Sequence, residues 1–183
     1  MSSPFRIERE SLHAAVRQLD LILQDSGGID RFALMYDKPM ASERPPVFFS
    51  AAPRSQLTDF PFTTNGWPVF SARVAACFGE DAVTLPTTIL HEDGSEDRSG
   101  YVLVMPRALV DGIDLARSTT TPNPFNPSAP PEIRVPVLRK EFSWPRFIRL
   151  EGYPVRMYVN HETRTALLAL GATGIRFTRQ GDR

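Results

Sequence analysis

The apolar residues of this 183-residue chain fall into short runs, none longer than five residues. Residues 101–105 and 166–170 are two of the longest, whereas a membrane-spanning helix needs about 20 apolar residues. The sequence therefore predicts no membrane span. The charged residues near its beginning are unlike the apolar segment of a secretory leader, so we expect a protein that works in the cytoplasm.

Composition bounds the class of protein further. Apolar residues make up 42% of the chain and charged residues 23%, which is typical of a soluble globular protein that builds a core. The length predicts a single α+β domain over residues 1–183. The 21 basic and 21 acidic side chains balance, so no net charge attracts nucleic acid or an anionic membrane.

Three segments carry a helical pattern. Residues 11–25 place apolar side chains at three- and four-residue spacing behind Ser11. A short helix is predicted over residues 71–78, with Ser71 as its N-cap and Gly79 as its stop. Asn160 is predicted to cap a third helix that runs to Leu170.

The remaining apolar segments predict strands in a mixed or antiparallel sheet. They cover residues 31–37, 47–49, 82–90, 101–105, 113–116, 132–139, 147–150, 154–159 and 174–178. The polar residues 91–100 are predicted to form the turn of a hairpin between the third and fourth of these.

Two stretches of the chain echo each other. The sequence Gly66-Trp-Pro-Val is repeated as Gly152-Tyr-Pro-Val, and each copy precedes a capping residue, a short helix, a glycine and a strand. Two related strand–helix–strand units would produce this echo, and so would a coincidence of common turn residues.

Residues 119–131 contain five prolines, at positions 122, 124, 127, 130 and 131. Such a segment either links two domains or forms a long surface loop, and we favour the loop.

The motifs of the common catalytic and cofactor sites are missing from the sequence. It has no glycine-rich nucleotide motif, no serine elbow and no zinc-type cysteine pairs. One cysteine and three histidines exclude an internal disulfide and disfavour a thiolate- or histidine-rich metal site. We therefore predict a protein that is not an enzyme and that carries no cofactor and no metal.

The strongest candidate for a binding site is the acidic turn. Four carboxylates lie within six residues, at Glu92, Asp93, Glu96 and Asp97. The spacing fails as a calcium loop, because Arg98 and Val104 stand where the sharp turn needs glycine and the ion needs glutamate. Either the turn is a solvated hairpin tip, or its carboxylates steer association with a basic partner.

An alternative reading draws a site from scattered polar residues near strand ends. His91, Asp111, Asp114 and Arg117 could then bind a small molecule or support catalysis.

The basic residues show a strong bias, because 19 of the 21 are arginine. A GC-rich genome would explain this bias, and so would selection for bidentate contacts to anions.

The order of these segments resembles a known family. The likeness lies in five segments: residues 67–78 (WPVFSARVAACF), 101–105 (YVLVM), 110–118 (VDGIDLARS), 147–155 (FIRLEGYPV) and 159–177 (VNHETRTALLALGATGIRF). They are similar to a family of bacterial immunity proteins from polymorphic-toxin systems, the eleventh in the usual numbering.

The resemblance implies an α+β protein made beside a toxin, which it binds and neutralises by stoichiometric occlusion. Its partner would be that cognate toxin, encoded nearby. The family offers no residue-level site to transfer, because immunity interfaces diversify with their toxins.

Overall fold

A computed structural model describes residues 4–10, 20–30, 44–51, 53–122, 126, 128, 130–139 and 143–179. The predicted strand at residues 31–37 and positions 11–19 of the first predicted helix lie outside this part of the chain.

The described residues contain strands and two α-helices, which confirms the α+β class. In chain order the elements are β1 (Phe5–Arg9), β2 (Leu21–Asp25), β3 (Val47–Ser50), β4 (Val69–Ser71), α1 (Ala72–Ala75), β5 (Ala82–Pro86), β6 (Thr88–Leu90), β7 (Glu96–Asp97), β8 (Tyr101–Pro106), β9 (Ala108–Val110), β10 (Thr119–Thr121), β11 (Glu132–Val135), β12 (Phe147–Leu150), β13 (Tyr153–Val159), α2 (His161–Ala169) and β14 (Ile175–Arg179).

The largest sheet has five strands in the order β14-β1-β13-β12-β9. All its pairs are antiparallel except β12 with β9, which is parallel. Strand β1 lies between β13 and β14, so one early strand is held by two strands from the end of the described chain. The predicted mixed sheet is thus observed.

A three-stranded sheet has the order β4-β8-β5, with both outer strands antiparallel to β8. The chain leaves β8 at Pro106 and enters β9 of the large sheet two residues later. The two sheets are therefore joined by one nearly continuous extended segment.

The two stretches that echo each other in the sequence have the same topology. In one, β4, α1 and β5 place two strands on either side of the antiparallel β8; in the other, β13, α2 and β14 do so around β1. Gly66 and Gly152, which precede the two units, share a φ of 74°, a conformation that favours glycine. We call these the first and second split units.

Both split units bury their apolar faces in one core. This core includes Ile7 of β1, Phe70 of β4, Val104 of β8, Phe147 of β12 and Leu167 of α2. The rings of Phe78 and Phe147 stack with centroids 4.1 Å apart. A second apolar cluster, which includes Ile148, Leu150, Tyr158, Trp144 and Val110, covers the other face of the large sheet at its β12–β9 side.

Two smaller sheets complete the description. One has the order β2-β3-β6-β7, and the other pairs β10 with β11. Thr121 lies opposite Glu132, so the proline-rich residues between them connect two strands of one hairpin. The predicted loop 119–131 is wrong for residues 119–121, which form β10.

The expectation of about three helices is wrong for the described residues, which hold two. The last part of the predicted helix 11–25 is the strand β2, which pairs with β3. The apolar run at residues 21–23 is compatible with either period, and sheet pairing decides in favour of the strand.

Other predicted boundaries also shift. The predicted strand 82–90 breaks at Thr87 and contributes β5 and β6 to two different sheets. The predicted strand 113–116 is a turn that follows a single bridge between Ile113 and Leu138. In α2, Leu167 is buried, whereas Ala166 and Leu170 are exposed.

Candidate functional site: the acidic hairpin

The four predicted carboxylates lie on the hairpin formed by β6 and β7. Ile89 pairs with Asp97 and Leu90 with Glu96, so these two acidic residues belong to a strand and not to a turn as predicted. The backbone N–H of His91 donates to the carbonyl of Ser95 over 2.9 Å. The tip is therefore a tight, hydrogen-bonded turn.

Asp93 stabilises this tip. Its Oδ1 accepts hydrogen bonds from the backbone N–H of Ser95 at 2.8 Å and from the Ser95 hydroxyl at 2.5 Å. These bonds lower the pKa of the Asp93 carboxyl. The carboxylate is exposed, so it both holds the turn and presents negative charge to the solvent.

Asp97 is turned inward, with only 11% of its side chain exposed. Its Oδ1 accepts from the backbone N–H groups of Ser99 at 3.0 Å and Gly100 at 2.7 Å, and Arg54 lies 3.4 Å from its Oδ2. Burial raises the pKa of Asp97, but the backbone hydrogen bonds and Arg54 outweigh it and lower the pKa overall. The carboxylate thereby stabilises the turn that leads from β7 into β8.

The remaining two carboxylates are exposed. Glu96 pairs with Arg98, whose Nε donates to Glu96 Oε2 over 2.8 Å. Counting Arg54 and Arg98, the hairpin keeps a formal charge of −2. Glu92, Asp93 and Glu96 thus form the face that could meet a basic partner, and we call these three residues the acidic tip.

The scattered polar residues of the alternative reading do not form one constellation. Asp111 pairs with Arg139 at 3.0 Å, and Asp114 lies 4.0 Å from Arg117. These pairs follow β9 of the five-stranded sheet, whereas His91 opens the hairpin of the four-stranded sheet. Asp111, Asp114 and Arg117 therefore form ion pairs close to one another in the chain, whereas His91 belongs to a different sheet.

A polar cluster that the sequence did not predict centres on the buried carboxylate of Asp59. Its Oδ1 accepts from the Ser71 hydroxyl at 2.5 Å and from Arg73 Nε at 2.8 Å. Its Oδ2 accepts from Arg73 Nη2 at 2.5 Å and from the N–H and hydroxyl of Thr173 at 2.8 and 2.9 Å. Arg73 Nη1 also donates to the carbonyl of Leu170, at the end of α2, over 3.1 Å.

These bonds tie the first split unit to the second. Burial would raise the pKa of Asp59, but the hydrogen bonds from Arg73, Ser71 and Thr173 outweigh it and lower the pKa to about 2. Every oxygen of the carboxylate is occupied by protein donors, so we assign this cluster a structural role. Thr173 lies 114 residues from Asp59 in the sequence, so no local sequence pattern could have predicted the cluster.

Other candidate groups are also accounted for. Cys77 is half-buried, and burial raises the pKa of its thiol. Within the described part of the chain, no three histidine, cysteine or acidic side chains are arranged to hold a metal ion. None of its helices has the length and apolar character needed to cross a membrane.

Comparison with known proteins finds no matching family model and no matching curated protein. The likeness to the eleventh immunity family thus rests on the residues quoted from the sequence.

Proposed function

We propose that the protein is a cytoplasmic immunity protein that binds and neutralises a cognate bacterial toxin by stoichiometric occlusion. The observation that carries this proposal is the acidic tip, a negatively charged surface fixed by its own turn. The family resemblance supplies the class of partner, and the tip supplies the chemistry by which such a partner would be recognised.

The geometry of the tip suits an electrostatic docking element. Asp93 is locked to Ser95, and Asp97 anchors the chain behind it, so the hairpin does not have to become ordered when a partner arrives. Pre-organisation of this kind lowers the entropic cost of association. Exposed charges at the rim of an interface mainly raise the association rate constant.

The partner expected from this chemistry is a toxin with a basic cleft, such as a nuclease. A standard interface buries about 1,600 Å² in total, far more than one hairpin tip presents. The acidic tip would therefore steer and orient the toxin, while neighbouring surface supplies most of the contact.

The test is co-expression with the product of the adjacent gene, followed by pull-down and growth rescue. A stable complex that restores growth is expected. Absence of both the complex and the rescue overturns the proposal.

Charge variants then test the role of the tip. Glu92→Lys combined with Glu96→Lys should lower the association rate constant about tenfold at low salt and leave dissociation nearly unchanged. Glu132→Lys combined with Glu151→Lys is the matched control, because it changes the net charge by the same amount at two exposed acidic residues outside the four-stranded sheet. Equal association rates for the wild type, the double variant and the control would assign occlusion to another surface.

A further inference from the structure

A second charged region lies on the large sheet, on the face opposite the shared core. Arg6 lies directly across from Tyr158 on one side and Thr178 on the other, and Glu8 lies across from Arg176. Cross-strand partners share a face of the sheet, and so do residues two apart in one strand. These side chains and Arg156 form what we call the arginine face.

Glu8 organises this face. It contacts Arg6, and its Oε2 accepts from Arg176 Nη2 at 2.6 Å and from the Thr178 hydroxyl at 2.9 Å. Burial raises the pKa of Glu8, but these hydrogen bonds and the two arginine charges outweigh it, so the pKa is lowered. With three guanidinium groups and one carboxylate, the face keeps a formal charge of +2.

The arginine face contains two buried hydrogen-bond donors of interest. Tyr158 is fully buried, and neither its hydroxyl nor the Nε of Arg6 has a hydrogen-bond partner among the described residues. The side chain of Arg6 is 19% exposed, so the Nε is sheltered by its surroundings. A buried donor without an acceptor is costly, and these two donors, on cross-strand neighbours, can be satisfied by one acceptor that reaches them beside the partly exposed Arg6.

The charges around the tyrosine identify the kind of acceptor. Burial raises the pKa of Tyr158, while the charges of Arg6 and Arg156 act on the hydroxyl in the opposite direction. The hydroxyl therefore remains a neutral donor beside two cations. Guanidinium groups bind the oxygens of carboxylates and phosphates through paired, charge-assisted hydrogen bonds.

We propose that the arginine face is an oxyanion-binding site, in which Tyr158 and Arg6 donate to a carboxylate or phosphate group and Arg156 contributes charge. Glu8 fixes Arg6 and Arg176 in place and leaves the Nε of Arg6 for the ligand. This proposal is independent of toxin binding, because the acidic tip belongs to another sheet.

The experiment is an NMR titration of the ¹⁵N-labelled full chain with inorganic phosphate and, separately, with succinate, with sodium chloride holding the ionic strength constant. We expect saturable shifts at the Nε–H of Arg6 and in β1, β13 and β14. Tighter binding of phosphate would assign a phosphate-bearing ligand, and tighter binding of succinate a carboxylate. No saturable shift with either probe overturns the proposal.

Variants separate the site from general surface charge. Tyr158→Phe and Arg156→Gln should each raise the dissociation constant at least about threefold. Arg134→Gln is the matched control, because this exposed arginine pairs with Glu132 in the separate β10–β11 hairpin. Equal dissociation constants in all three variants would show nonspecific binding and overturn the site.

The stability of Tyr158→Phe provides a second readout. Without anion, removal of a hydroxyl that lacks a partner should leave the thermal midpoint unchanged or raise it. A midpoint lowered by several degrees would show that the hydroxyl is satisfied within the protein, and that result would also overturn the proposal.

Discussion

The two split units share a topology but differ in their helices. In the second unit, Asn160 caps α2 by accepting from the N–H of Thr163 at 2.8 Å, and the helix runs for nine residues. In the first unit, α1 has four residues and tightens into a 3₁₀ segment that is interrupted at Gly79, where φ is 57°. The strand arrangement is thus compatible with two quite different helical connections.

The two units also differ in the use of the side chain at the N-cap. Ser71 is at the N-cap position of α1, but it makes no capping bond and donates to Asp59 instead. The first unit therefore gives up a local helix cap and gains a link to the second unit. Strand pairing around a central strand is therefore common to both units, whereas the polar contacts at the start of their helices differ.

Removing the link between the units should have the largest effect. Asp59→Ala leaves Arg73, Ser71 and Thr173 without their shared acceptor, and we expect a loss of about 3 kcal/mol in the free energy of unfolding, measured by urea denaturation. Asp111→Ala is the control, because Asp111 forms an exposed pair and should cost less than about 0.5 kcal/mol. Similar losses in both variants would contradict a special role for Asp59.

Carboxylates at the two cap positions test whether Ser71 and Asn160 have different roles. Asn160→Asp should change stability by less than about 0.5 kcal/mol, because aspartate also caps helices well. Ser71→Asp should cost about 2 kcal/mol, because it replaces a donor to Asp59 with a second negative charge. If thermal unfolding shows both variants to be tolerated, Ser71 acts as an ordinary cap.

Acid should weaken the same link. The pKa of Asp59 is about 2 in the folded protein, below its ordinary value of 3.8, so the unfolded chain binds the proton more tightly. This carboxyl contributes about 2 kcal/mol above pH 4, and the contribution disappears as the pH falls through 2. Urea midpoints between pH 5 and 2 should fall less steeply for Asp59→Asn than for the wild type, and parallel curves would contradict this assignment.

Smaller losses of stability than at Asp59 or Ser71 are expected at the glycines that precede the units. Gly66→Ala and Gly152→Ala each force a side chain into a backbone with φ of 74°, at a cost of about 1 kcal/mol. The cost should be slightly greater at Gly152, where a Cβ would lie 3.4 Å from Ile133 Cδ1, than at Gly66, where nothing lies within 4 Å. Thermal shifts measure both, and an unchanged midpoint in either variant would contradict the shared requirement for glycine.

Local signals in the sequence predicted much of the fold. Asn160 predicts a helix cap, and residues 101–105 predict a strand. The echo at Gly66 and Gly152 is compatible with two similar units. The sequence failed where long-range contacts override local pattern. Residues 21–25 join a sheet although their spacing continues a helix, and Asp59 acquires partners from distant segments.

The acidic tip was predictable in composition but not in the roles of its members. All four carboxylates lie within six residues of sequence, yet Asp97 turns inward and accepts hydrogen bonds from the N–H groups of Ser99 and Gly100. The arginine face was not predictable at all. Its residues come from β1, β13 and β14, and only strand pairing places Arg6 beside Tyr158.

The position of β1 between β13 and β14 has a consequence for how the chain is made. The first split unit closes within about 40 residues of sequence, so it can fold soon after β8 leaves the ribosome. Strand β1 is synthesised first among these elements, yet its neighbour β13 begins at residue 153 and its neighbour β14 only at residue 175. During that interval its two edges are unpaired, which makes β1 the segment most exposed to chaperones and to mispairing with another nascent chain.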